Sequence, residues 1–230
     1  MRVSAILTAA GSGTRLGSSD PKALVRLGGA PLVVHAARRL SAAGVSDIVV
    51  TCPVGMDDGV ARLLTGLPVR CVPGGASRQA SVAAGVAALG AGVDVVLVHD
   101  AARPLASPAL IGRVLDKLAE GERAVIPGLP VVDTIKRVAR GVVSQTLERG
   151  ELVTVQTPQG FARELLALVH ERGAALAVDE ASAVSDDAGL VERFSEVAVA
   201  VVAGEDRAMK ITTRRDLALA EAMLASGEWS

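Results

Sequence analysis

The stretch TAAGSGTRLG, residues 8–17, closes an apolar run that begins at Val3. Three glycines and an arginine after such a run allow the backbone to approach a phosphate closely. A dinucleotide fingerprint, G-x-G-x-x-G, requires a third glycine, an immediate helix and an acidic residue about 20 positions on. Gly11 and Gly13 fit it, but Leu16 occupies the third position and Pro21 prevents a long helix. The second apolar run ends in VTCP, with no acidic tip for a ribose. The P-loop pattern fails as well, because no lysine follows a glycine at its spacing. What remains is a long basic loop carrying Arg15 and Lys22, able to wrap a triphosphate with backbone N–H groups. The same residues would also suit a surface loop with two solvated cations.

Composition narrows the classes around that loop. The 230 residues suffice for one α/β domain, and half of them are hydrophobic. A net charge of −1 gives no basic field to hold nucleic acid, and with aromatics at 1% there is little to stack on bases. Cys52 and Cys71 each end an apolar run and read as reduced strand residues. The start MRVSAILTAAGSG imitates a signal peptide, but cleavage there would remove the first strand and its loop; a mature cytoplasmic start is expected. No transmembrane helix is expected, since Val82–Val98 is interrupted by glycines and Asp94. Of 24 basic residues only Lys22, Lys117, Lys136 and Lys210 are lysines, a bias that draws attention to each of them.

Strand-like runs at Val3–Thr8, Asp47–Cys52, Val69–Val72, Val93–His99, Ala124–Ile126 and Val197–Val202 alternate with amphipathic segments. Those segments are Pro31–Ala43, Asp57–Leu64, Ser77–Leu89, Ser107–Ala119, Arg163–Arg172 and Thr213–Ala225. The alternation predicts an α/β fold with a mainly parallel sheet, helices on both faces, and ligands beyond the carboxyl ends of the strands. Residues 130–156 break the pattern with short alternating pieces around Gly141 and Gly150, which read as hairpin material. That segment has little apolar area for a core of its own, so it is expected to protrude from a single domain spanning 1–230 and pack on another chain.

Further stretches could carry chemistry. GGASRQASV (74–82) offers two glycines before a helix opened by Ser77, with Arg78 and Ser81 facing one crevice. LVHDAARP (97–104) places Asp100 at a strand's carboxyl end, suited to a divalent ion or sugar hydroxyls, and Arg103 beside it. His99 reads as structural, and a salt-bridged loop is the less favoured reading of Asp100 and Arg103. Asp133, Thr134 and Lys136 alternate as a strand would present them; Thr157 and Gln159 flank Pro158; Asp179 and Glu180 would begin a helical segment; Lys210 and Thr212 precede the last one. No Ser-His-Asp elbow, Cys-His pair or His/Cys metal cluster is visible. A nucleophile that is already ionised, such as a phosphate monoester, needs no such base, and cations plus Mg²⁺ then supply the catalysis.

In this order AAGSGTRLG…PKAL, GGASRQASV, LVHDAARP, DTIK, TPQGF, DEAS and MKIT closely resemble the 2-C-methyl-D-erythritol 4-phosphate cytidylyltransferase family, from Ile6 to about Ala222. The resemblance implies a Rossmann-like, glycosyltransferase-A-like nucleotidyltransferase fold and Mg²⁺-dependent transfer of CMP from CTP to methylerythritol 4-phosphate. It assigns Ala9, Ala10, Gly11 and Gly13 to the CTP phosphates, with Arg15, Lys22 and Lys210 catalytic. Gly75 and Ser81 would contact cytosine, and Asp100 and Ala101 the nucleotide, with Asp100 also the metal ligand. Arg103, Thr134, Thr157 and Arg149 would hold the acceptor, Arg149 from a homodimer partner's arm. Thr8 stands where Pro is usual, Ala23 where Gln is frequent, and Val178 where Thr is familiar. The alternatives are a ribitol 5-phosphate cytidylyltransferase, which shares these motifs, and a non-catalytic nucleotide-binding protein on the same scaffold.

Overall fold

The computed structural model describes residues 1–11, 13, 16 and 21–227. Its first half runs β1 (Val3–Thr8), a two-residue ribbon of β2 (Arg26–Leu27) and β3 (Ala30–Pro31), α1 (Leu32–Ala42), β4 (Ile48–Cys52) and α2 (Asp57–Leu63). Next come β5 (Val69–Pro73), α3 (Arg78–Ala87), β6 (Val95–Asp100), α4 (Pro108–Ala119) and β7 (Ala124–Pro130). An excursion follows as β8 (Lys136–Ala139) and β9 (Val142–Thr146), and the chain returns as β10 (Val153–Val155) and β11 (Gln159–Ala162). The last elements are α5 (Arg163–Arg172), α6 (Asp187–Phe194), β12 (Ala200–Ala203) and α7 (Arg214–Ala225). Ser77, Ser107 and Thr213 cap their helices, each hydroxyl accepting a backbone N–H of the first turn.

Parallel pairing joins β6 to β1, β1 to β4, β4 to β5, and β7 to β12. The exception is the pair β10 and β11, which lie end to end along one edge of β7 and run against it. β11 also pairs antiparallel with β6, so it is wedged between two parallel strands near the middle of the sheet. The sheet is therefore mainly parallel, with helices on both faces, as its alternating sequence predicts.

Side-chain alternation divides the strands between two cores. Ala5, Leu7, Ile48, Val50, Val95 and Leu97 face α1, α2 and α4, while Ile6, Val49, Val96, Val98 and Phe161 face α3, α5 and α6. Burying a Val or Leu side chain contributes about 1.5–3 kcal/mol, so two dry layers hold the strand ends rigidly. Cys52 and Cys71 sit on β4 and β5 as free thiols.

The expected excursion differs in extent from 130–156. It leaves the sheet after Pro130 but is back in it at Val153, because β10 pairs with residues 128–130 of β7. Its tip is the β8–β9 hairpin, turned by Arg140 (φ 50°) and Gly141 (φ 78°). Positive φ at both central positions is the type I′ geometry that suits a right-twisted hairpin. Every residue of β8 and β9 is exposed, including Val138, Val142 and Val143.

The short strands β2 and β3, the strand β11 and the helix α6 escaped the sequence reading, and β10 was expected in the protruding segment rather than in the sheet. Asp179 and Glu180 do not open a helix either. The Asp179 carboxylate accepts N–H groups from Ala181 and Ser182, closing a turn, and the helix starts only at Asp187.

Candidate active site

The C-terminal ends of β1 and β6 open onto a cleft of about 540 Å³. Ala9, Ala10, Gly11, Gly13 and Lys22 line one wall, Gly75 and Ser81 another, and Asp100, Ala101 and Lys210 the floor between them. Ten of the residues picked from the sequence thus meet in one place. Arg15 lies outside the described residues. The Lys22 amide donates to the Gly11 carbonyl (3.2 Å), which closes the base of the loop and brings that lysine to the cleft.

The turn before α3 is built for close packing. A Cβ on Gly75 would stand 2.4 Å from Ala80 Cβ, so no larger residue fits there. The Ser81 hydroxyl accepts the Gly75 N–H (3.1 Å) and donates to the Ser77 carbonyl (2.9 Å). One lone pair of that oxygen remains as an acceptor facing the cleft.

A second cleft of about 360 Å³ adjoins the first and includes Arg103, Thr157, Gln159 and Ser185. Asp100, Arg78 and Lys210 line both clefts. Lys210 Nζ is 2.7 Å from Asp100 Oδ2, and Arg78 Nε is 3.1 Å from Asp100 Oδ1. Thr8 Oγ1 donates to the same Oδ1 (3.2 Å), adding a donor to this carboxylate. Burial alone would raise the Asp100 carboxyl, but the Arg78 and Lys210 charges outweigh it and hold the group well below the ordinary carboxylate range. The floor is therefore a permanent anion between two cations.

Thr157 and Arg103 reach the second cleft, yet both also hold the framework. Thr157 Oγ1 accepts the Asp100 N–H (3.1 Å) and lies 2.9 Å from His99 Nδ1. His99 is fully buried, and burial pushes it down to about 4, so it stands neutral behind the site. Arg103 donates to the carbonyls of Ala208 (2.7 Å) and Val155 (3.1 Å), tying the segment before Lys210 to the returning strand β10. Its sequence assignment as an acceptor-binding residue is thereby joined by a clamping role.

A family model described as 2-C-methyl-D-erythritol 4-phosphate cytidylyltransferase, IspD, matches residues 3–226. The chain belongs to this family. A cytidylyltransferase of that name from Nocardia farcinica is 51% identical, covering 96% of this chain and 94% of its own. A bifunctional IspD/IspF enzyme from Nitratidesulfovibrio vulgaris is 45% identical over 96% of this chain and 58% of its own length. Among solved structures, the Anaerococcus prevotii 4-diphosphocytidyl-2C-methyl-D-erythritol synthase superposes with a TM-score of 0.84 at 31% identity, covering 97% of this chain and 98% of its own.

Within this IspD-family chain, two residues assigned from the sequence do not reach either cleft. Thr134 and Arg149 belong to the excursion, and Arg149 Nη1 donates to the Val132 carbonyl (3.0 Å). Val178 is exposed and lines neither cleft. Conversely, Asp187 and His170 went unremarked in the sequence, since no spacing relates them to Asp100. Asp187 meets the other arm of Arg78, Nη1 to Oδ2 at 2.8 Å, and His170 Nε2 lies 2.9 Å from its Oδ1.

Proposed function

We propose that this chain transfers CMP from CTP to 2-C-methyl-D-erythritol 4-phosphate, giving 4-diphosphocytidyl-2-C-methyl-D-erythritol and pyrophosphate in non-mevalonate isoprenoid synthesis. Family membership supports the reaction. The observation that carries it at the level of atoms is the Lys210–Asp100–Arg78 row shared by two adjoining clefts. One cleft takes the nucleotide and the other the acceptor, so the reacting phosphorus sits above the row.

An oxygen of the acceptor's phosphate forms the new bond to the α-phosphorus, and the bond to the bridging oxygen of the β-phosphate breaks with its electron pair. The attacking oxygen is already ionised, so no base is required. Lys22 and Lys210, with Arg15 in the same role, offset the charge that develops on the phosphates. The backbone at Ala9, Ala10, Gly11 and Gly13, which line the first cleft, would cradle the triphosphate. Asp100 is the carboxylate that would hold Mg²⁺, and when bound Mg²⁺ supplies charge neutralisation at the triphosphate. One carboxylate suffices, because Mg²⁺ takes most of its remaining ligands from phosphates and water. Among the described residues no group of three His, Cys, Asp or Glu is placed to hold a metal by itself.

The working unit we infer is a cytoplasmic homodimer, with free cysteines in keeping with a reducing compartment. Exposed Val132, Val138, Val142 and Val143 on the excursion favour cover by a second copy, which would bring Thr134 and Arg149 to the partner's acceptor cleft. No helix among the described residues is long and apolar enough to cross a membrane.

Purified protein with CTP, Mg²⁺ and methylerythritol 4-phosphate should release pyrophosphate. Release with ribitol 5-phosphate alone would move the assignment to that acceptor. CTP binding without release from either would make the chain a nucleotide-binding protein.

A further inference from the structure

Arg78, at the first position of α3, divides its guanidinium between two carboxylates. Nε reaches Asp100 on β6 (3.1 Å) and Nη1 reaches Asp187 on α6 (2.8 Å). Behind Asp187, His170 of α5 brings its Nε2 to Oδ1 at 2.9 Å. Five side chains thus run in line from Lys210 at the cleft to His170 in the interior. Asp187 is fully buried and His170 nearly so, and neither lines a cleft.

A buried ion network is weak support for stability, because well-packed apolar residues usually serve as well. What its paired arms do supply is a fixed geometry, while Arg78 Nη2 and His170 Nδ1 are buried without a hydrogen-bond partner among the described residues. Arg78 and Thr8 both hold Oδ1 of Asp100, which leaves Oδ2 directed at Lys210. Arg78 can keep its fork in that plane only if its second arm is anchored, and the anchor is Asp187. Asp187 is fixed in turn by His170 and by its own N–H, donated to Gln159 (3.2 Å).

We propose that Asp187 and His170 are positioning residues for nucleotidyl transfer: through Arg78 they set the rotation of the Asp100 carboxylate and hence the place of Lys210. The inference rests on the transferase reading above. Outer partners of a ligating carboxylate typically cost about 10–100-fold in activity when removed.

The test compares kcat and KM for His170→Ala, His170→Gln and Asp187→Asn, with thermal melts confirming that each is folded at the assay temperature. His170→Ala should lose about ten-fold in kcat with KM for CTP little changed. His170→Gln should recover most of that loss, because its amide Nε2 can take the place of the imidazole Nε2 on Asp187. In an Asp100→Asn background the His170→Ala loss should shrink toward nothing, since the network acts only through that carboxylate. If His170→Ala melts below the assay temperature, the same cycle with Asp187→Asn decides. The proposal is overturned if folded variants turn over at the parent rate, if Gln and Ala are equally impaired, or if the losses add fully to Asp100→Asn. An inactive parent protein would instead overturn the transferase reading itself.

Discussion

Lys210 Nζ and Asp100 Oδ2 lie 2.7 Å apart, joining the segment before α7 to the tip of β6. Asp100 is almost fully buried, whereas Lys210 is partly open to solvent. The lysine is thus held at one end and free to meet a ligand with its remaining donors.

Lys210→Met removes this charge without opening the core. Because Arg78 still pairs with Asp100, the melting temperature should change little, while kcat falls by about 10²–10³, as for other groups that stabilise developing charge. Calorimetry and pyrophosphate release on one preparation separate the two effects. A kcat within three-fold of the parent, on the order of the scatter between preparations, would remove Lys210 from the chemistry.

Acid should act in two stages. Burial pushes His99 from 6.5 down to about 4, so between those values the unfolded chain binds a proton that the folded chain refuses. Stability therefore falls as pH drops through that window, by up to about 3 kcal/mol. Asp100 and Asp187 act lower. For both, burial is outweighed, by the Arg78 and Lys210 charges for one and by the Arg78 charge with the His170 hydrogen bond for the other, so their carboxyls are held below 3.8. Their contribution is intact above pH about 4 and is lost as the pH falls further, through their folded values. His99→Asn, whose amide oxygen can stand in for Nδ1, should shrink the drop in melting temperature between pH 7 and pH 5.

Two glycines of the nucleotide cleft should respond oppositely to alanine. A Cβ on Gly11 meets no atom of the described residues within 4 Å, so Gly11→Ala should fold as the parent does and raise KM for CTP by crowding the phosphates. A Cβ on Gly75 collides with Ala80, so Gly75→Ala should lose about 1–3 kcal/mol of stability. Melts and CTP titrations on the pair distinguish a ligand-facing glycine from a packing one.

The excursion should govern assembly rather than folding. Replacing Val138 and Val142, both well exposed in the single chain, by Glu should leave the melt of the domain unchanged but halve the mass measured by light scattering. Turnover should fall with it if Thr134 and Arg149 serve the partner's cleft. A parent already at the mass of one chain would remove the proposed dimer, and an unchanged mass of two chains would place its contact elsewhere.

The sequence by itself determined the layered α/β plan, because an apolar period of two in the strands and of 3.6 in the helices is written locally. The cap serines and a hairpin around Gly141 were legible for the same reason: each depends on a few neighbouring residues. Their order along the chain was specific enough to point to one family. What only the tertiary structure decided was which distant residues meet. β11 was hidden because Gln159–Ala162 carries one large apolar residue and becomes a strand only between β6 and β7. Asp187 and His170 carried no signal in the sequence; packing alone set them behind Arg78. Burial and ion pairing are properties of the assembled layers, so the line from Lys210 through Asp100 to His170 exists only once those layers have closed.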